Sequence, residues 1–322
     1  MFRTEIIPQI STDKIDLKSS IISMGSCFSD HIGGRLKDNK FNILTNPFGV
    51  IFNPISINKL LNVSSKKGNL NTLNWITSQD IHLHHDVHSS LGDMDKQTAK
   101  DNVDSAISDM HDQLKQSKWL MITWGTAIVY EHKVSGNIVA NCHKVPVDQF
   151  NKRLLTKEEI IESFESVMET LSPDLNIVLT VSPVRHLKET LELNSVSKSI
   201  LRIASHELSN RIEQVQYFPA YELVLDDLRD YRFYKPDMLH PSDEAIDYVW
   251  QKFTSAYFDT STFSFLEKWK KIRTAINHRP FNPQSDAHLK FVRSTIKTLI
   301  ELKGEIDVSK EIDLLEQQLI KS

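Results

Sequence analysis

Two short motifs, far apart in the chain, contain the residue types that acyl transfer requires. Ser26 follows Gly25 directly after an apolar run, and Asp237 lies three residues before His240 near the other end. A serine hydroxyl becomes a useful nucleophile when a neighbouring base takes its proton. His240 is suited to that role near neutral pH, and Asp237 is placed to hold the far ring nitrogen and set its tautomer. The two motifs together predict a triad of Ser26, His240 and Asp237.

Each motif also has a structural interpretation that needs no chemistry. Gly25 and Ser26 could form a turn that only caps a helix, and Asp237 and Ser242 could make only turn and cap hydrogen bonds. Cys27 is a rival nucleophile because a thiolate is intrinsically reactive, although a cysteine beside a strand is more often a packing residue. We expect Ser26 to be the nucleophile and the Cys27 thiol to face the protein interior.

A second group of reactive side chains is the segment His82-Leu83-His84-His85-Asp86-Val87-His88. Four histidines and one aspartate within seven residues are suited to a divalent metal, and the segment nearly matches the His-x-His-x-Asp-His box of metallo-β-lactamase-like hydrolases. His88 falls one position too late, and a strand would direct alternate side chains to opposite faces. A metal-dependent hydrolase is therefore the alternative, and we favour a polar strand or loop in which His85 or His88 lines a substrate pocket.

Four apolar runs, with helical patterns between them, predict how these motifs are positioned. The runs cover residues 21–24, 41–44, 119–122 and 177–181. Apolar runs without alternation are typical of strands buried on both faces of a parallel sheet. Thr156 and Glu159 form a predicted capping box for one helix, Ser195 is the predicted cap of a second, and Ser242 that of a helix over 245–253. Strands that alternate with helices predict a doubly wound or related open α/β sheet.

Ligands bind such sheets beyond the carboxyl ends of the strands. Ser26 lies at that edge, and Arg185 and His186 follow the last predicted strand closely. Arg185 is suited to a carboxylate or phosphate on a substrate, or equally to pairing with a local acid that holds the loop. Arg185, His186, Asn141 and His143 are therefore candidate substrate-binding residues.

Two further regions complete the predicted organisation. Residues 129–139 alternate around Ser135-Gly136-Asn137, which predicts a hairpin. After Thr260 the chain becomes helical and charged. We interpret residues 1–260 as one catalytic domain with inserted loops, and residues 261–322 as a C-terminal helical extension packed on it.

The composition excludes several classes of function. The chain of 322 residues has 40% hydrophobic residues, and its 38 basic residues nearly balance its 42 acidic ones, so we expect no nucleic-acid partner. No apolar run is long enough to span a bilayer, and the first residues lack a signal-peptide pattern, so we expect a cytoplasmic protein without a membrane partner. Cys27 and Cys142 are too few for a disulfide framework or a zinc cage and are expected to be free thiols.

The segment Gly-Ser-Cys-Phe-Ser at 25–29 resembles the signature of the GSCFA family, a branch of the SGNH/GDSL-type esterase–lipase superfamily. The resemblance extends from about residue 21 to about residue 253 and includes the segments 46–49, 53–54, 123–127, 141–144 and 182–186. In the superfamily a serine and an Asp-x-x-His pair form the catalytic set, which matches Ser26, Asp237 and His240. The resemblance implies a three-layer SGNH-hydrolase-like fold and a covalent acyl-enzyme formed without a cofactor.

The resemblance also implies an oxyanion site. The superfamily uses the N–H of the nucleophile, the N–H of a glycine after the second strand, which matches Gly49, and a side-chain amide from a Gly-x-Asn block. Here Gly125 is followed by Thr126 and no asparagine, so the Thr126 hydroxyl is the expected third donor, unless Asn53 or Asn141 supplies the amide. The implied activity is hydrolysis of an acyl ester on a small molecule or a carbohydrate. The missing asparagine leaves a second alternative, a non-catalytic SGNH-like module that binds a sugar or a protein.

Overall fold

A parallel sheet of five strands forms the centre of the molecule, in a computed structural model that describes residues 3–320. The strands along the chain are β1 (Ser20–Gly25), β2 (Asn42–Thr45), β3 (Trp75–Ser78), β4 (Ile81–His84), β5 (Trp119–Trp124), β6 (Ile128–His132), β7 (Ile138–Val139), β8 (Phe150–Leu154), β9 (Asn176–Val181) and β10 (Val215–Tyr217). The central sheet has the order β10-β9-β5-β1-β2, and its pairings are parallel. The predicted open sheet of mostly parallel strands is confirmed.

Helices cover both faces of this sheet. They are α1 (Cys27–Asp38), α2 (Pro54–Ser65), α3 (Lys96–Gln116), α4 (Lys157–Met168), α5 (Leu191–Arg211), α6 (Ala220–Glu222), α7 (Asp243–Tyr257), α8 (Thr260–Ile276), α9 (Asp286–Leu302) and α10 (Ser309–Ile320). Thr156 and Glu159 form the predicted capping box of α4. The prediction that Ser195 caps the next helix is wrong, because Thr190 Oγ1 accepts the Leu193 N–H at 3.1 Å and α5 already begins there.

Successive residues of the central strands enter different hydrophobic cores, because side chains alternate along a strand. Ile22 of β1 packs in one core with residues of α2, α3, α4 and α5, whereas Ile21 packs in a second core with residues of α1 and α7. In the same way, Leu120 of β5 packs in the first core and Trp119 in the second. This arrangement gives three layers, with the sheet between two layers of helices.

Two smaller antiparallel sheets lie outside the central one. The predicted hairpin is confirmed, with Tyr130 of β6 opposite Val139 of β7, and Gly136 takes φ +67° in the turn between them. Strand β8 pairs with the other edge of β6. Strands β3 and β4 form a second hairpin, which the sequence pattern did not predict because their sequences, WITS and IHLH, contain no continuous apolar run.

The C-terminal helices α8, α9 and α10 share a hydrophobic core of their own. That core contacts the end of α1, where Trp269 Nε1 donates to Asp38 O at 2.8 Å and Lys40 Nζ lies 2.7 Å from Glu311 Oε1. Across residues 3–320, every helix is too short or too polar to cross a membrane.

Candidate functional site

Ser26 lies in the sharp turn where β1 ends and α1 begins. Gly25 has φ +132°, and a Cβ at this position would lie 2.1 Å from Thr123 O, so the turn requires glycine. The Ser26 N–H donates to Thr123 O at 3.0 Å, which ties the turn to the end of β5. Ser26 Oγ accepts the Phe28 N–H at 3.3 Å as the cap of α1. The predicted nucleophile therefore stands at a helix N-terminus, where the backbone dipoles favour negative charge.

A polar relay that sequence analysis missed supports this turn. Asn46 Oδ1 accepts the Gly25 N–H at 2.8 Å, and its Nδ2 donates to Asp30 Oδ1 at 2.6 Å. Asn46 has φ +42°, in the left-handed region that asparagine tolerates better than most residues. In the sequence, the indication of this role is the position of Asn46 directly after β2 and before Pro47.

Asp237 and His240 form the predicted hydrogen-bonded pair. His240 Nδ1 lies 2.7 Å from Asp237 Oδ2, and the side chains are 39% and 44% exposed. Asp237 Oδ1 also accepts the N–H groups of His240 and Leu239, at 3.0 and 2.8 Å. These two backbone donors, followed by the His240 ring, lower the pKa of Asp237 to about 2, so the carboxylate is ionised at neutral pH. Nδ1 is occupied by the carboxylate, which leaves Nε2 as the nitrogen for proton transfer.

The turn that carries His240 is held against the loop that follows β9. The Arg185 N–H donates to Leu239 O at 3.2 Å. The Arg185 guanidinium lies 4.0 Å from the ring centroid of Tyr234 and 5.1 Å from that of Tyr231. Arg185 therefore holds a loop, as one of its two interpretations predicted, but within residues 3–320 it does so on aromatic faces and not by pairing with an acid.

The carboxyl ends of β1, β5 and β9 meet at one edge of the sheet, because the three strands are parallel neighbours. Ser26 follows β1, Thr126 follows β5, and His186 follows β9. Burial, followed by the charges of Lys198 and His240, lowers the pKa of His186 to about 4, although Glu189 acts in the opposite direction. His186 is therefore within electrostatic range of His240, and this edge of the sheet is the candidate active site.

The predicted oxyanion donors are engaged by other acceptors. The Ser26 N–H has Thr123 O as its acceptor, and the Gly49 N–H donates to Asn46 O at 2.8 Å. Gly49 takes φ +70° and packs on His88, whose Cβ would lie 2.3 Å from a Cβ at position 49. The Thr126 hydroxyl lies 3.0 Å from Ser197 Oγ and accepts the Ile128 N–H at 3.0 Å. A developing oxyanion could use these donors only after they had given up their present hydrogen-bond partners.

The two asparagines considered as substitute donors serve local structure. Asn53 caps α2, where its Oδ1 accepts the Ser56 N–H at 2.8 Å, and its Nδ2 donates to Val139 O at 3.5 Å. Asn141 Oδ1 accepts the His143 N–H at 2.9 Å. In this conformation each side chain closes a turn or caps a helix.

The histidine segment is fixed mainly by hydrogen bonds to the backbone. His84 Nε2 bonds to Asn71 O, His85 Nδ1 to Asn141 O and His143 Nε2 to His84 O, at 3.0, 2.8 and 2.9 Å. His88 Nδ1 accepts the N–H of Ser90. Burial lowers the pKa of His84, His85 and His143, and the rings of His85 and His143 stack 5.8 Å apart. In the described part of the chain, no three His, Cys, Asp or Glu side chains are grouped to hold a metal ion.

The rival nucleophile Cys27 is half-buried on the first turn of α1. Burial, followed by the charge of Asp30, raises the pKa of its thiol. Because the thiolate is the reactive form, this environment makes Cys27 a poorer nucleophile than an exposed cysteine.

Comparison with known proteins gave two family matches. The sequence model of the GSCFA family matches residues 20–253, and that of the GSCFA domain protein, C-terminal domain, matches residues 269–321. No curated protein matches the chain. The first match includes Ser26, Asp237 and His240 and therefore covers the whole candidate active site.

Proposed function

Because the chain belongs to the GSCFA family, we propose that it is a serine-dependent acyl-ester hydrolase of the SGNH/GDSL type. The observation that carries this proposal is the Asp237–His240 pair, hydrogen-bonded at 2.7 Å on a turn that is tied through Leu239 O to the loop after β9. Strand β9 ends at the same edge of the sheet as β1, which Ser26 follows. The substrate is an ester of a small molecule or of a carbohydrate. A cytoplasmic location is part of the same proposal.

The proposed reaction has two half-reactions. Ser26 Oγ attacks the acyl carbon while His240 Nε2 takes the hydroxyl proton, and His240 then gives that proton to the leaving alkoxide. Water attacks the resulting acyl-serine with His240 again as the base, which releases the acid and restores Ser26. Asp237 holds the ring and stabilises the imidazolium in both steps.

Substrate access requires a rearrangement of this edge. Ser26 has no exposed surface, and its N–H and that of Gly49 already have acceptors. Catalytic hydrogen bonds often become productive only in the substrate complex, and loops commonly move to admit the substrate. We place the opening step before attack and expect the oxyanion to take over donors that now bind carbonyl oxygens. Contact between Ser26 Oγ and the His240 ring stays a prediction of this mechanism.

The same observations favour one second candidate, a non-catalytic module that binds a sugar or a protein. The Thr126 hydroxyl is bonded to Ser197 Oγ and lacks the reach of an asparagine amide. A buried serine with engaged donors is compatible with a hydrolase-like fold that has lost turnover.

The experiment uses a fluorophosphonate probe and small activated acetyl esters, which need little specific binding. Wild-type protein is expected to turn over the ester and to be labelled at Ser26. Ser26→Ala is expected to abolish both signals and His240→Ala to abolish labelling, whereas Cys27→Ala, the matched control, retains most of the rate. Folded wild-type protein without labelling or turnover would exclude the hydrolase and leave the binding module.

A further inference from the structure

Lys198 on α5 is a buried lysine at the rear of the candidate site, and it is only 1% exposed. Lysine is almost never fully buried unless it is paired, because removing an ammonium from water is costly. The groups that the Lys198 ammonium contacts are backbone carbonyls, and its charge is not balanced by a carboxylate in the hydrogen bonds that the structure shows for residues 3–320.

The ammonium joins the ends of two neighbouring strands. Lys198 Nζ donates to Gly125 O at 2.6 Å and to Ser182 O at 2.7 Å. Gly125 directly follows β5, and Ser182 directly follows β9. The Ser182 N–H already bonds to Trp124 O, so the strands are paired without the lysine. The ammonium therefore supplies a second connection, at the edge where the candidate site lies.

The residue before it holds the same segment. Ser197 Oγ accepts the Ala127 N–H at 2.7 Å and lies 3.0 Å from Thr126 Oγ1. Two consecutive residues of α5 thus fix Gly125, Thr126 and Ala127. This segment stands where the superfamily has its Gly-x-Asn oxyanion block, although it lacks the asparagine.

Two titratable groups interact electrostatically with Lys198. Cys27, next to Ser26 on α1, raises the pKa of Lys198, and Lys198 lowers the pKa of His186 in the loop after β9. Burial outweighs the effect of Cys27 and lowers the pKa of Lys198 to about 7. The lysine therefore changes its charge near neutral pH.

We propose that Lys198 is a positioning residue whose ammonium holds Gly125 and Ser182 in the geometry that acyl transfer at Ser26 requires. The proposal rests on the hydrolase function proposed above. A charged donor binds a carbonyl more strongly than a neutral amine does, so deprotonation loosens both contacts. Lys198 acts through the segments it holds and not by touching the substrate.

The test compares wild type with Lys198→Met, which keeps the length of the side chain and removes its donors and charge. Ser205→Ala is the control, because Ser205 is a buried polar residue of the same helix whose hydroxyl donates to Leu201 O within α5. We expect kcat of Lys198→Met to fall about 100-fold, the effect of misplacing catalytic groups by about 1 Å, with KM changed less than about threefold. Ser205→Ala should keep both constants.

The pH profile separates positioning from mere structural support. As pH rises, kcat of the wild type is expected to fall with a midpoint near the lysine pKa of about 7. Lys198→Met should lose this descending limb of the pH–kcat profile. Cys27→Ala should keep a descending limb but move it to lower pH, because Cys27 raises the pKa of Lys198, and a retained limb excludes titration of Cys27 as its cause. A folded Lys198→Met protein with wild-type kcat and pH profile would overturn the role of Lys198.

If Lys198→Met does not fold, direct titration of Lys198 in the wild-type protein tests whether its charge controls kcat. The Lys198 side chain is followed by NMR of ¹⁵N- and ¹³C-labelled lysine, and its midpoint should coincide with the descending limb of kcat. A midpoint that does not coincide with the limb overturns the proposal. Wild-type protein without turnover or probe labelling refutes the hydrolase function and the role together, whereas an active wild type with an unaltered variant refutes the role alone.

Discussion

At the scale of single residues, the Asp237–His240 pair is organised by backbone donors and not by burial. The same carboxylate bonds to the His240 ring and to two backbone N–H groups of its own turn, and Met238 takes φ +57° between them. The turn presets the carboxylate, and the carboxylate orients the ring. Half-exposed groups of this kind are usually weakly coupled, so the geometry depends on the intact turn.

Asp237→Asn tests this coupling. The amide keeps an acceptor for the backbone N–H groups but favours the wrong imidazole tautomer, so kcat/KM is expected to fall by up to about 10⁴-fold with the fold retained. Asp230→Asn is the matched control, because Asp230 is an exposed aspartate that caps a turn by accepting the Arg232 N–H at 2.8 Å. Activity of Asp237→Asn within about tenfold of wild type would contradict the assigned role of Asp237.

Asn46 supports the turn that carries Ser26. Asn46→Gly keeps the left-handed backbone and removes the acceptor of the Gly25 N–H, which should lower the free energy of unfolding by about 1–3 kcal/mol. Asn46→Ala should cost about 1 kcal/mol more, because alanine is strained at positive φ. Urea denaturation measures both variants, and equal stability of Asn46→Gly and wild type would show that the relay does not stabilise the turn.

At the scale of elements, the histidine rings of the segment from β4 to His88 are bonded mainly to the backbone, and we therefore expect the segment to have a structural role. Activity should therefore be unchanged by a chelator such as EDTA. An activity that is lost on chelation and restored by zinc or manganese would instead favour the metal-dependent alternative, with His82–His88 as ligands.

The same histidines predict an acid sensitivity. Burial lowers the pKa of His84, His85 and His143 in the folded state, whereas the unfolded chain binds protons at the usual value near 6.5. The unfolded state then binds more protons as pH falls, so stability decreases below about pH 6.5. Urea midpoints of wild type and His143→Gln between about pH 7.5 and 5 should converge as pH falls. A constant difference across that range would show that His143 does not contribute.

The strands of the central sheet that sequence patterns predicted are those with a continuous run of mainly apolar residues. The central strands at 21–24 and 177–181 are buried on both faces and were found. Strand β10 was missed because it has three residues, and α3 because its surface is mostly polar. Ser26 and the Asp237–His240 turn were predicted from residue type and spacing. Lys198 was missed because a lysine in a helix is normally exposed, and only the tertiary structure shows its burial.

At the scale of the whole molecule, Trp269 joins the C-terminal helices to the central domain. Its ring is 1% exposed, its Nε1 donates to Asp38 O, and Lys40 Nζ lies 5.3 Å from the ring centroid. Trp269→Ala should lower the free energy of unfolding by about 3–5 kcal/mol, through the cavity and the lost contacts. Trp269→Phe, the control, keeps most of the volume and should recover much of that loss. An Ala variant as stable as wild type would show that this junction does not stabilise the fold.

Ser26 caps the first turn of helix α1, and Asp38 is its last residue. The carbonyl oxygen of Asp38 accepts the hydrogen bond from Trp269 Nε1. The 12 residues of α1 make a stiff rod about 18 Å long. A displacement of the C-terminal helices, by a bound partner or by a substitution in their own core, would act on the last residue of α1. A rigid helix would transmit that displacement to its first turn, where Ser26, the proposed nucleophile, lies. In the proposed hydrolase, turnover at Ser26 would then respond to changes that never contact the substrate.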